Sequence, residues 1–310
     1  MGSYFYSGVL NGVTFQAEGN FVNLGKQTVV LYPVSAPASV PTGTFTGSVT
    51  IAPTKSGGTN GITCNNVSIK FISRATSTLK IVNISGSNYT TGLISGCGNY
   101  SSTTAAGKIG AWLNTAQARS IAGVQNIQIV CVNPTEIANL SDHLEDASIV
   151  YLNGRTSSQA NAGTISVLRD WFRNGRGMVL DQGDEINETQ FAQGLGFYIE
   201  AGTTSTINIY SNRLPHVLVN PDGYSLPATT PLTILSQGSN AAYVTSSQGV
   251  VFGGENNRRY LYADITNNQG IGNDTGAFIF GDKSGDNTDS NTYALWQNIF
   301  AWMIHNAPIY

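Results

Sequence analysis

The chain has 310 residues, of which only 11% are charged, 41% are hydrophobic and 35 are glycine. Charge is well below the ~25% of an average soluble domain, yet the apolar content is ample for a core, which excludes a chain disordered by composition. A net charge of −3 without a long basic run argues against nucleic-acid binding through phosphate neutralisation, and no apolar run approaches the ~20 residues of a membrane-spanning helix.

In chain order, residues 1–100 read as an all-β unit. Runs rich in β-branched and aromatic residues at 9–15, 28–32, 44–51, 66–72 and 79–84 are separated by Gly, Pro, Asn and Ser. Phe45, Val49 and Ile51 lie on one parity of a strand, and Val67, Ile69 and Phe71 alternate with Ser68 and Lys70. Pro33, Pro37, Pro41, Pro53 and Ser56-Gly57-Gly58 break the runs, so a small sandwich or barrel is expected. Residues 101–107 are small and polar and read as a linker.

From 108 to 310 the pattern is alternating α/β. Strands are expected at 108–113, 126–132, 148–152 and 177–180, and helices at 116–122, 135–144 and 160–173. Ile165, Leu168 and Phe172 give the last helix one apolar face, and Asn174-Gly175 stops it. Continuous apolar runs at 149–152 and 178–180 suit parallel strands buried on both faces. A β-rich stretch follows at 206–210, 217–219, 232–235, 250–252 and 260–265. A closing helix over 291–306 carries Leu295, Ile299 and Trp302 beside Trp296, Phe300 and Met303, with Asp289, Ser290 or Asn291 as cap. The fold class is therefore a two-domain α+β chain. Residues 1–100 carry five basic residues (Lys26, Lys55, Lys70, Arg74, Lys80) against Glu18, a charge of +4, which leaves −7 on the remainder.

The order of elements over 107–307, with "ASIVYLNGRTSS", "ISVLRDWFRNGRGMVLDQGDE" and the closing "YALWQNIFAWMI", resembles a class I glutamine amidotransferase-like (flavodoxin-like) α/β domain. It is most similar to non-catalytic members attached to other modules. The resemblance implies a nucleophilic Cys on the turn after the fourth strand and a His after a late strand. The corresponding turn, residues 180–185, holds no Cys, Ser or Thr, and residues 262–266 hold no His; His143, His216 and His305 lie elsewhere. The resemblance thus implies a catalytically vacant domain that needs no cofactor.

Asp181, Asp184 and Glu185 follow a parallel strand, where open α/β sheets place ligands. They are weak candidates for acid/base work on a glycosidic bond or for a cation; the plainer alternative is that they cap the next helix. The polar loop 281–289 does not fit a calcium loop and reads as a lead into the last helix. Of the three cysteines, Cys64 and Cys97 are the candidate disulfide, each bordering a strand-like run in the β unit; two free thiols are the alternative. Cys131 reads as a small buried hydrophobe, and no metal-ligand spacing is present. Seven Asn-x-Ser/Thr triplets, at Asn66, Asn83, Asn88, Asn99, Asn139, Asn187 and Asn273, are those expected by chance in so Asn-, Ser- and Thr-rich a chain.

The first function expected is structural: a virion component such as a capsid-decoration, tail or fibre protein, or an extracellular filament subunit, acting by self-association or docking. Residues 1–25 show no visible signal peptide, and low charge suits a virion or an extracellular surface. Tyr4, Phe5 and Tyr6 form a candidate assembly arm, or else the first edge strand of their own unit. The alternatives are a glycan-binding module using Tyr4, Tyr6 and Tyr89, and a hydrolase using the Asp181, Asp184 and Glu185 carboxylates.

Overall fold

The structure, a computed structural model, describes residues 3–20, 32–35, 43–51, 62–71, 77–86, 91–153, 160–174, 176–183, 189–202, 206–209, 218, 224–226, 233–235, 241–244, 250–255, 258–264, 277–280 and 288–310. The chain divides into two compact units, residues 1–73 and 74–310.

The first unit is antiparallel β. Strands β1 (Ser3–Leu10) and β2 (Val13–Asn20) form a hairpin, and β3 (Tyr32–Ser35) adds antiparallel to β2. The link is Asn11-Gly12, at φ 51° and 80°. Positive φ at both positions matches a type I′ turn, whose twist suits the flanking strands. Residues 9–15 are therefore two strand ends and a reversal, not the single run expected. Tyr4, Phe5 and Tyr6 lie within β1, in register with Gly19, Glu18 and Ala17, so they are a paired strand of their own unit and not a free arm. A second hairpin joins β4 (Gly43–Ile51) to β5 (Ile62–Phe71), with cross-strand bonds between the Thr50 and Thr63 hydroxyls at 3.0 Å and from Ser48 Oγ to Asn65 Oδ1 at 2.8 Å. Strand β1 lies against β4, and Leu10, Val13 and Val49 are buried. Most of the expected 28–32 run lies outside the described residues.

The second unit is built on a mixed sheet. Strands β6 (Thr78–Ser85), β7 (Asn126–Val132), β8 (Ile149–Asn153) and β9 (Met178–Gln182) are mutually parallel in the order β7-β6-β8-β9. Next to β9 lies β16 (Ala277–Phe280), also parallel, so the parallel strands run second, first, third, fourth, fifth along the sheet. Beyond it β15 (Arg258–Asp264), β14 (Val250–Glu255), β11 (Thr206–Ile209) and β12 (Thr233–Leu235) continue antiparallel. A separate antiparallel pair is formed by β10 (Ile199–Gly202) and β13 (Ala241–Val244).

Helices cover both faces of the parallel part. Helices α1 (Ala105–Leu113), α2 (Ala116–Ala122) and α6 (Ser290–Asn306) pack together over one face. Helices α3 (Leu140–Leu144), α4 (Ala162–Arg173) and α5 (Gln190–Leu195) cover the other. The two-residue strand period sorts the side chains: Leu79, Ile81, Ile149, Tyr151, Met178 and Leu180 join the α6 core, while Val82, Ile84, Val150, Leu152 and Val179 join the α4 core. The helix ends follow their caps. Asn161 accepts from Gly163 N and Thr164 N while Thr164 Oγ1 accepts from Asn161 N, a full capping box. Asp289 accepts from Thr292 N at 2.9 Å and starts α6.

Two expectations are corrected here. Residues 79–84 do not belong to the β domain: β6 sits inside the parallel sheet between β7 and β8, so the boundary falls near 73 rather than at 101–107. That boundary leaves Lys26, Lys55 and Lys70 against Glu18 in the first unit, +2, and −5 in the second. Residues 108–113, read as a strand, are the body of α1, whose N-cap Thr104 accepts from Gly107 N. Gly107 and Gly110 masked this helix, since glycine costs roughly 1 kcal/mol each in a helix interior relative to Ala. The reason for Gly110 is tertiary: a Cβ there would stand 1.6 Å from Leu93 O.

Candidate functional site

In an open α/β sheet of this strand order, ligands bind beyond the carboxyl ends of the strands where the order reverses, here between β6 and β8. Asn83, Ser85, Gly86 and Asn153 stand there. Gly86 N donates to Asn153 O at 3.1 Å and to Asn153 Oδ1 at 2.6 Å, which ties the two strand ends together.

The crevice is filled by the chain's own loop, residues 91–101. Leu93 N donates to Asn83 Oδ1 at 3.1 Å. The Tyr151 hydroxyl lies 2.9 Å from Thr91 O and 2.8 Å from Gln182 Oε1, and Tyr151 packs edge-on to Trp296 and Phe300 of α6. The single phenol proton serves one of these oxygens; the Gln182 amide completes the network when it turns its NH2 to the phenol. Gly98, at φ +61°, lies directly over the strand ends, where a Cβ would stand 2.7 Å from Gly86 O and 2.8 Å from Ser85 Oγ. The far side of the loop is fixed by a disulfide between Cys97 and Cys131 of β7, with Cα atoms 5.3 Å apart. The described side chains gathered here are neutral.

This disulfide replaces the expected pair. Cys64 is a free, half-buried thiol on β5 of the first unit, whereas Cys97 belongs to the second unit. The expected pairing rested on treating residues 1–100 as one domain. Cys131 is not a lone buried hydrophobe: it is a half-buried disulfide partner at the end of an edge strand.

The acidic candidates are not brought into this crevice. Asp181, 1% exposed, follows the parity of Val179 and faces the α4–α5 side, where its Oδ2 accepts from Ala192 N of α5 at 3.1 Å. Its neighbour Gln182 turns to the opposite face with Tyr151. The plainer sequence reading, a carboxylate serving the next helix, describes Asp181. Asp184 and Glu185 lie outside the described residues, as do Tyr89, His216 and nearly all of 281–289. His143 lies in the last turn of α3, and His305 in the last turn of α6 holds Nδ1 3.1 Å from Ile121 O beside the Tyr224 ring. Among the described residues no group of His, Cys, Asp and Glu is arranged to hold a metal ion.

Sequence reasoning missed Asn83, Tyr151, Asn153 and Gln182. Their signal was present: each is a polar or amphipathic residue closing or interrupting an apolar strand run. Asn83 was read only as part of an Asn-x-Ser triplet, yet it is fully buried. No helix among the described residues is long and apolar enough to cross a membrane. Comparison with protein-family models and with curated proteins gives no match.

Proposed function

We propose that this chain is a non-enzymatic structural or surface protein of a larger assembly: a virion component such as a capsid-decoration, tail or fibre protein, or an extracellular filament subunit. Its second unit is, on this reading, a catalytically vacant relative of class I amidotransferase-like (flavodoxin-like) domains. The first is a sandwich-like β domain that makes contacts.

The observation that carries the reading is the occupied switch point. The place where a sheet of this order ordinarily admits a substrate is taken by residues 91–101, with their polar groups already engaged by Asn83 and Tyr151. The second-first-third-fourth-fifth strand order supports the family resemblance. The Cys97–Cys131 disulfide supports a place in an oxidising surrounding, on a virion or outside cells. Charges of +2 and −5 on the two units support head-to-tail attraction between copies. The hydrolase alternative loses support because Asp181 serves a backbone N–H of α5.

A turnover screen tests the reading. The full chain is incubated with glutamine, simple esters and aryl glycosides at neutral and mildly acidic pH. The expected result is no hydrolysis above buffer. Hydrolysis that is lost in Asp181→Asn would overturn it.

A further inference from the structure

We propose that the Cys97–Cys131 disulfide is the latch of a closable crevice, and that its reduction lets the loop tip at residues 94–99 lift away from Ser85, Gly86 and Asn153. The inference stands whether or not the chain assembles.

The loop has two differently held halves. Thr91 and Leu93 are buried; they are anchored by Tyr151 and Asn83, and Leu93 lies in the α1–α6 core over Gly110. The tip is different. Ser95, Gly96, Gly98 and Asn99 are exposed, and its backbone bonds, Cys97 N to Ile94 O at 3.2 Å and Gly92 N to Asn99 O at 3.1 Å, close within the loop itself. The covalent tie to β7, together with the buried Cys97, whose Sγ lies 3.4 Å from Asn83 O, fixes this half to the sheet. Segments with few bonds to the rest of a fold open locally at low free energy once such a tie is removed.

Among the described residues, the groups beneath the tip are neutral. Ser85 and Asn153 are 2% and 1% exposed, and Asn153 Nδ2 has no hydrogen-bond partner. A buried amide hydrogen without a partner is a standing cost. With the tip lifted, Asn153 NH2 offers an unused donor beside the Ser85 hydroxyl, which donates to Gly86 O at 3.3 Å. That chemistry suits a neutral amide or hydroxyl group.

The chemistry of opening is ordinary thiol–disulfide exchange with a dithiol reductant. A thiolate attacks Cys131 Sγ, since Cys131 is half-buried whereas Cys97 is fully enclosed. The S–S bond breaks, Cys97 leaves as thiolate and takes a proton, and a mixed disulfide forms on Cys131. The reductant's second thiol then displaces Cys131. The protein gains two electrons and two protons, and the dithiol becomes a disulfide.

Hydrogen exchange on the intact chain, oxidised and then reduced with dithiothreitol, tests the latch. After reduction the amides of Gly92 and Cys97 should lose at least about tenfold more protection than those of β8 and β9. Unchanged exchange at 86–99 would show that packing alone holds the tip. An equal loss of protection across β8, β9 and the tip would show that the disulfide holds the whole fold rather than a latch. As a second readout, Cys97 in Cys131→Ser should be alkylated by iodoacetamide in the folded protein, read by peptide mapping to separate it from Cys64; a Cys97 that resists labelling overturns the proposal.

Discussion

At the scale of single residues, close backbone approach decides where side chains are forbidden. Gly110 faces Leu93 O and Gly98 faces Gly86 O, so Gly110→Ala and Gly98→Ala should each destabilise the second unit by about 1–3 kcal/mol, seen as a lower urea midpoint. An unchanged midpoint in both would mean that the loop is not packed as described. Asp181→Ala removes the acceptor of a buried N–H and should cost about 1–3 kcal/mol, whereas Asp181→Asn keeps an oxygen there and should cost less. Equal losses would contradict the acceptor role. Tyr310 gives a pH signature. Burial raises its phenol pKa while Arg176 pulls it back, and its hydroxyl donates to Arg176 O at 2.6 Å. A phenol whose pKa is raised on folding contributes stability at neutral pH and loses it as pH rises past its ordinary value of about 10. The melting temperature should therefore fall in that range, and fall less steeply in Tyr310→Phe. The carboxylate serving the next helix was legible in the sequence and is Asp181; the other roles were not, because each depends on an atom contributed by a distant segment: Leu93 on Gly110, Arg176 on Tyr310.

At the scale of elements, legibility followed the strength of the local signal. The helix at 160–173 was plain because its apolar period and its Asn174-Gly175 stop agree; its Asn161 cap came only with the structure. Strands 126–132 and 149–153 were plain because they are apolar runs of strand length between breakers. Helix α1 was not, because two of its nine residues are glycines placed there for a neighbouring loop. Strand β6 was read as a strand but assigned to the wrong sheet, since alternation along a strand carries no information about its partners. That misassignment also produced the wrong disulfide. The true one closes a chain separation of 34 residues, so replacing both Cys97 and Cys131 with Ala should destabilise the second unit by about 4 kcal/mol in the chain-entropy treatment. Calorimetry should show a lower melting temperature for that unit; an unchanged one would mean that the crosslink adds nothing to stability.

At the scale of the whole molecule, the two units carry separate cores. The fragment 74–310 should therefore fold alone, with a cooperative melt and the native disulfide; failure to fold would place an essential part of its core in residues 1–73. The candidate site was legible only as a vacancy in the sequence: the turn at 180–185 lacks a nucleophile, but nothing there signals that residues 91–101 occupy the switch point. The central claim is that the chain works by association and not by turnover. Light scattering over a rising concentration series, at low and at high salt, tests it most directly. The account predicts a particle mass that climbs in steps above the 32.8 kDa monomer at low salt and falls back as salt screens the attraction between oppositely charged units. A mass that stays at the monomer value at every concentration and salt level would contradict it.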